Sequence, residues 1–309
     1  MSSTTPVVVR TVETQSDRKQ FLLLPWQLYK GDPHWIPPLR LNQEELLNFR
    51  KHPFYETNEI QTFLAVRDGK PCGRIAAIVN HAHNQRYNEQ RGFFGFFESV
   101  DDPRVAGALF DAARHWFAER GITQIRGPMN PSMNYECGLL IEGFDEPPTL
   151  MMTYNHEYYG RLIEGAGFAK VEDMYAFWGH VDMLETLDKK LEFVREESIR
   201  RFQIHLRPLN KSRFLADVRM FLDIYNKSLV GTWGFVPMSD AEVEHASRSL
   251  KHLIVPELTS IAEIDGKPVV SEPLIQGRST ANRWRSPLAC WITIRASRRS
   301  TVGCFRPVS

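Results

Sequence analysis

The tetrapeptide Asp-Gly-Lys-Pro occurs twice, at residues 68–71 and 265–268, each time between runs rich in β-branched and aliphatic residues. Asp-Gly supplies the positive backbone dihedrals of a tight turn, so each copy dictates a β-hairpin. Arg10 precedes the first turn by 58 positions, and Arg207 precedes the second by the same 58. Two ends that agree at one offset of 197 imply a duplicated domain. A chain of 309 residues has room for about two.

Around the first hairpin the pattern alternates. Residues 6–12 are β-branched and read as a strand, and 16–29 as a helix entered at Ser16 and Asp17 and stopped by Gly31. The proline-rich turn GDPHWIPPL follows at 31–39. Hairpin strands at 61–67 and 72–80 lead to a buried strand, GFFGFFE, at 92–98. A helix over 103–120 has Asp102 as its N-cap, Pro103 in first position and Gly121 at its end. A short strand at 122–126, a long polar insertion, a helix at 155–165 and a strand at 174–181 complete the copy. This alternation predicts a mixed α/β fold with helices packed on a central sheet.

The second copy is shorter. A strand at 202–209, a helix at 213–229, WGFVP at 233–237 and the hairpin over 261–268 repeat the opening. Beyond Val269 nothing matches the GFFGFFE strand or its helix. Residues 270–309 hold seven arginines, no lysine and one acid, so this segment carries +6 and the other 269 residues −5 of a total of +1. The expected domains are therefore 1–182, a connecting helix at 183–201, a partial second copy at 202–269, and a basic tail at 270–309, foreign to the repeat as a frameshifted segment would be.

Composition excludes several classes. With 42% hydrophobic and 24% charged residues the chain is neither disordered nor fibrous. The apolar run Phe21–Leu24 is cut by Pro25, and residues 1–6 lack a secretory pattern, so a cytoplasmic protein with no membrane partner is expected. Four cysteines without a CxxC suggest free thiols. The tail arginines lack a helical arrangement and interleaved aromatics, which argues against nucleic acid.

The segments PWQLYKGDPHWIPPL, HPFYE, DGKPCGRIAAIVNHAHN, GFFGFFE, GPMNPSMNYECGLLIEGFDEPP and NHEYYGRLIEGAGF, spread over about residues 20–269, resemble the GNAT superfamily of acetyl-CoA-dependent N-acetyltransferases. More narrowly they resemble a bacterial group of two-lobed GNAT-like proteins. The resemblance implies a GNAT-like mixed sheet flanked by helices, followed by a truncated second GNAT-like copy. It also implies acyl transfer from acetyl-CoA, or a related thioester, to a small-molecule or peptide amine, without a metal. The thioester arm would lie along the fourth strand at Phe96, Phe97, Ser99 and Val100, with N–H groups near Phe97 facing the oxyanion. Its pyrophosphate would rest on the next helix at Arg104 and Gly107.

The residues depart from the family's pattern in two places. The phosphate loop [QR]-x-x-G-x-[GA] has its nearest match at Arg104-Val105-Ala106-Gly107-Ala108-Leu109, wrong at Leu109 and inside the helix, and Asp101 and Asp102 repel a polyanion. The tyrosine acid's position holds Ile163; Tyr159, one helical turn earlier on the same face, is the substitute. Glu136 is assigned as base, with Glu98 and Glu142 as replacements. Asn130, Asn134, Tyr154 and Asn155 are assigned to the amine substrate, although each asparagine more simply satisfies loop backbone. His81 and His83 lack a third metal ligand and read as a surface loop; Trp26, Tyr29 and Trp35 read as packing of the first helix and its turn, with lining of an amine-substrate cleft as the alternative; the 190–201 run reads as a solvated helix. Two other readings stay open: a non-catalytic acyl-CoA-binding or interaction module, and a nucleotide pyrophosphohydrolase, whose carboxylate-bearing helix is not visible.

Overall fold

The computed structural model describes residues 5–149, 151–177, 188–251, 254, 259–272 and 298–307. The chain divides into two compact units, Met1–Ala176 with Arg299–Ser309, and Phe177–Arg298. The first boundary falls at the end of a strand rather than at residue 182.

The first unit opens with β1 (Val8–Thr11), α1 (Gln15–Leu28) and α2 (Arg40–Leu46), followed by the hairpin β2 (Glu59–Arg67) and β3 (Lys70–Val79). After them come α3 (His81–Tyr87), β4 (Arg91–Ser99), α4 (Pro103–Ala118) and β5 (Gln124–Arg126). The sheet runs β1-β2-β3-β4-β5, antiparallel except for the parallel β4–β5 pair. Nearly all of β3 and β4 is buried, which explains their unbroken apolar sequences. Capped by Asp102 and started by Pro103, α4 lays Val105, Leu109, Phe110, Ala113 and Phe117 against β2 and β3. Each such buried side chain contributes about 1.5–3 kcal/mol.

Beyond β5 the polar insertion forms a small hairpin, β6 (Met129–Asn130) and β7 (Glu136–Cys137), and then β8 (Leu139–Glu142). Next are α5 (Tyr158–Gly165) and β9 (Phe168–Phe177). A second sheet runs β8-β13-β9, where β13 (Arg298–Pro307) pairs antiparallel with β8 through Thr301 and Glu142, Val302 and Leu140, and Gly303 and Leu139. Part of the segment read as foreign to the repeat thus forms a strand of the first unit.

The second unit holds α6 (Lys189–Phe202), β10 (His205–Pro208), α7 (Phe214–Ser228), α8 (Asp240–Leu250), β11 (Ser260–Ile264) and β12 (Lys267–Glu272). Its sheet is β10-β11-β12, packed by Leu209, Val218, Phe221, Leu222 and Ile254. The repeat holds residue by residue. Arg10 faces Leu64 as Arg207 faces Ile261, and Ala65 faces Gly73 as Ala262 faces Val270. Both hairpins bulge at the same place, between Ala65 and Val66 and between Ala262 and Glu263. Both turns put Asp and then Gly in the left-handed region, with φ 51° and 72° in the first and 50° and 71° in the second. Every one of these pairs is related by the offset of 197 read in the sequence.

Several elements differ from the sequence expectation. Thr14, not Ser16, caps α1, in a reciprocal capping box with Asp17. The NHAHN segment is helical: Asn80 caps α3 and His83 is buried edge-on against Phe93, so it is core rather than surface loop. Phe202 ends α6 instead of opening β10, and β12 continues past Val269 to Glu272.

Candidate active site

The centre of the site is an irregularity in β4. Arg74 faces Glu98 while Ala76 faces Gly95, so Phe96 and Phe97 oppose one residue of β3 and form a bulge. Phe96 takes φ 49° to make it. Parallel pairing with β5 stops at Phe93 and Arg126, and the chain then swings back across β4. A Cβ on Gly95 would collide with the carbonyl of Met129, so only glycine admits this crossing. Asn130 Oδ1 accepts the Phe96 N–H at 2.6 Å. Directly opposite Asn130, in the β6–β7 hairpin, stands Glu136.

Glu98 gathers a buried polar network. Its Oε2 accepts the hydroxyls of Tyr159 at 2.7 Å and Tyr29 at 2.9 Å, and its Oε1 lies 3.5 Å from the Arg74 guanidinium. Arg74 is itself buried, donates to the Phe21 carbonyl at 2.9 Å and stacks over the Phe21 ring. Tyr159 Oη accepts the Ser99 N–H at 3.1 Å, and Tyr158 donates to the Ser99 carbonyl at 2.8 Å. Burial raises the Glu98 pKa, with Arg74 and the two tyrosines opposing. Burial, seconded by the charge of Glu98, pushes Glu136 up to about 7 against a pull from Arg74. Two carboxyls thus lean on one guanidinium, and the Glu136 carboxyl has no hydrogen-bonding partner among the described residues.

A row of rings flanks this network. Trp35 stacks on Tyr29 at 5.1 Å, Tyr29 on His156 at 4.4 Å, and His156 on Tyr158 at 5.1 Å, all within 14° of parallel. Tyr154 donates to Asp32, and burial with that carboxylate pushes its pKa up to about 12.

The structure brings Glu136, Asn130, Phe96 and Phe97 together and uses several assigned groups differently. The N–H groups of Phe96, Ser99 and Val100 are donated to Asn130, Tyr159 and the Cys72 carbonyl. Asn155 grips the backbone of Leu140 through both its Oδ1 and Nδ2, so with Asn130 it holds the loop. Asn134 is buried beside Ser132. The Tyr159 hydroxyl is fully buried with its proton on Glu98, and burial carries its pKa well above the usual phenol value, so it braces Glu98 instead of standing ready as an acid. At the start of α4, Asp102 caps the Arg104 N–H and pairs with Arg104 at 2.8 Å and Arg67 at 2.6 Å; the Arg104 bonds hold its carboxyl far below the usual range. The helix end meant for a pyrophosphate is thereby filled by the chain's own carboxylate, and Gly107 lies well inside the helix. This end does not fit the family's phosphate loop. Arg74 and His156 escaped the sequence reading, and Tyr29 was named only among the aromatics of the first helix and its turn; an arginine inside an otherwise apolar strand was the available signal for Arg74. Among the described residues no group of three or more His, Cys, Asp or Glu side chains is placed to hold a metal ion.

No known family profile matches the chain. Among curated sequences it is 36% identical over 264 residues to protein YghO of Escherichia coli K12, covering 84% of this chain and 66% of that protein. It is 35% identical over 270 residues to the bacterial ceramide synthase of Caulobacter vibrioides, covering 86% of this chain and 69% of the relative. The chain thus spans about two thirds of the length of these relatives. Among solved structures, 97% of it aligns with a GCN5-related N-acetyltransferase from Anabaena variabilis, at 12% identity, 72% of that chain and TM-score 0.47. The same share aligns with a tandem GNAT protein from the clavulanic acid biosynthesis pathway, at 8% identity, 98% of that chain and TM-score 0.47. By its identity to the Caulobacter protein over most of both chains, the chain belongs to the family of that bacterial ceramide synthase.

Proposed function

We propose that the first unit transfers an acyl group from a CoA thioester to a primary amine, with Glu136 as general base. The observation that carries this reading is the Glu136 carboxyl: half-buried, without a hydrogen-bonding partner among the described residues, and raised to about 7. A base of that strength is ionised in a useful fraction at neutral pH and still accepts a proton readily. The amine nitrogen attacks the thioester carbonyl and forms the C–N bond while Glu136 takes one N–H proton. The C–S bond then breaks. Protonated Glu136, more acidic than an alkyl thiol of pKa about 8.5, passes the proton to the leaving thiolate. The N–H of Phe97, at the bulge, is assigned to the developing oxyanion. Tyr159 and Arg74 hold Glu98, which keeps Glu136 basic.

The relative's name indicates the substrates. A ceramide is the amide of a fatty acid with a long-chain amino alcohol, so an amphiphilic amine and a long acyl chain are the substrates proposed here, rather than acetyl-CoA. The stacked rings from Trp35 to Tyr158 suit an apolar chain beside the base. The carboxylate at the start of α4 favours a second reading, a binding module without turnover, since a pyrophosphate there must draw Arg67 and Arg104 away from Asp102.

The test incubates the purified chain with long-chain acyl-CoA or acetyl-CoA and a panel of amines that includes a long-chain amino alcohol, and detects amide by mass spectrometry. Amide formation, reduced about 100-fold or more in kcat by Glu136→Gln, is expected. Saturable thioester binding without any amide would establish the second reading.

A further inference from the structure

α6 is amphipathic, yet none of its fourteen residues is buried. Leu191, Val194 and Phe202 are 56%, 49% and 54% exposed. At 3.6 residues per turn these three fall within an arc of about 80°. The borders of the arc are basic, with Lys190 and Arg201 on one side and Arg195 on the other; Glu192, Glu196 and the exposed Phe193 lie across the helix, and Glu197, next to Lys190, is paired with Arg200. Soluble helices point such a stripe at their own core; this one points it at solvent. Fourteen residues span about 21 Å, short of the roughly 30 Å hydrocarbon layer. Among the described residues no helix is long and apolar enough to cross a membrane.

We propose that α6 is an interfacial anchor that lies in the plane of an anionic lipid bilayer. Leu191, Val194 and Phe202 enter the boundary between headgroups and acyl chains, and Lys190, Arg195 and Arg201 meet the anionic headgroups beside it. Charge selects this occupant: an apolar stripe edged by cations on both sides, with Glu192 and Glu196 turned away and Glu197, beside Lys190, paired to Arg200, complements a negative surface. The inference rests on α6 alone and not on the acyl-transfer reading, and its test reads binding rather than turnover. If both hold, the anchor brings an enzyme with amphiphilic substrates to the surface where they reside.

Flotation of the intact purified chain with vesicles tests this. Binding to phosphatidylcholine vesicles containing about 30% phosphatidylglycerol is expected, weakening by several-fold as salt is raised to about 0.5 M, since screening shortens the reach of the headgroup charge. The triple variant Leu191→Ser, Val194→Ser, Phe202→Ser is expected to lose binding about tenfold or more with an unchanged thermal midpoint, because none of these side chains supports the fold. Arg195→Glu with Arg201→Glu is expected to remove the preference for the anionic vesicles. Absence of flotation by the intact chain, or flotation unchanged in both variants, would overturn the proposal. Self-association that the triple variant abolishes, without vesicle binding, would overturn it in favour of a second copy of this chain on the same face.

Discussion

The two hairpins of this chain are the same object built twice, and only one of them leads to a candidate active site. β2–β3 and β11–β12 share register, bulge position and turn dihedrals at a constant offset. They differ in what lies beside them. In the first unit β3 pairs with β4, whose bulge holds Glu98 against Arg74, Tyr29 and Tyr159. In the second, β12 has no further strand on its outer side among the described residues, and the polar cluster lies instead at β10, the equivalent of β1, where Arg207 bridges Asp217 and Glu263. The hairpin is therefore a shared scaffold, and the proposed chemistry belongs to what is built beside it, β4 and the β6–β7 hairpin. Fold and function separate within one molecule.

The equivalence can be broken or sharpened by paired substitutions, beginning with the largest effect on stability. Leu64→Ala and Ile261→Ala fall at matching, fully buried positions, and each should cost about 2–5 kcal/mol. If the units unfold separately, urea titration followed by unit-specific probes will show each variant shifting one transition; a common shift by both would mean a single cooperative block. Gly95→Ala, which drives a methyl into the Met129 carbonyl, should cost about 1–3 kcal/mol and abolish amide formation, because it moves Asn130 off the Phe96 N–H. Retention of full activity would show that the β4 crossing does not position Glu136. Gly69→Ala and Gly266→Ala should each cost about 1–2 kcal/mol, since both place a Cβ in the left-handed region, and the two costs should agree if the turns are true equivalents. Thermal denaturation of the pair gives that comparison.

The hairpins were legible because their signal is local: Asp-Gly sets the turn, and alternation sets the strands. The cap of α4 was legible for the same reason. What escaped was long-range. Tyr29, Glu98 and Tyr159 meet across separations of 61 and 69 residues, and no periodicity marks such a meeting. Glu136 stood out as a carboxyl in a polar loop, but its half-buried, unpaired setting depends on the hairpin that folds it over β4. His83 was read as surface because the turn around it is polar, whereas its ring packs on a strand formed ten residues later. The loop asparagines fell to their ordinary role of satisfying backbone. The sequence expected no membrane partner because it has no spanning segment, and that argument does not reach a helix lying flat such as α6.

The linkage of Glu136 has a definite sign. Its folded pKa lies above its ordinary 4.5, so the folded protein binds a proton between about pH 4.5 and 7 that the unfolded chain releases. This contribution to stability is present below that window and is lost as pH rises through it, while the active base appears at its upper end, as pH rises through about 7. Stability and activity should thus run in opposite directions near neutrality. Glu98→Gln keeps an acceptor for the two tyrosines but removes the like charge, so the rise in activity should move to lower pH.

The pH dependence of kcat/KM for amide formation, measured for the intact chain and for Glu136→Gln, tests the central claim most directly. The assignment of Glu136 as base expects a rise through pH about 7 in the intact chain that is absent, together with most of the activity, in the variant. The same rise persisting in Glu136→Gln would contradict it.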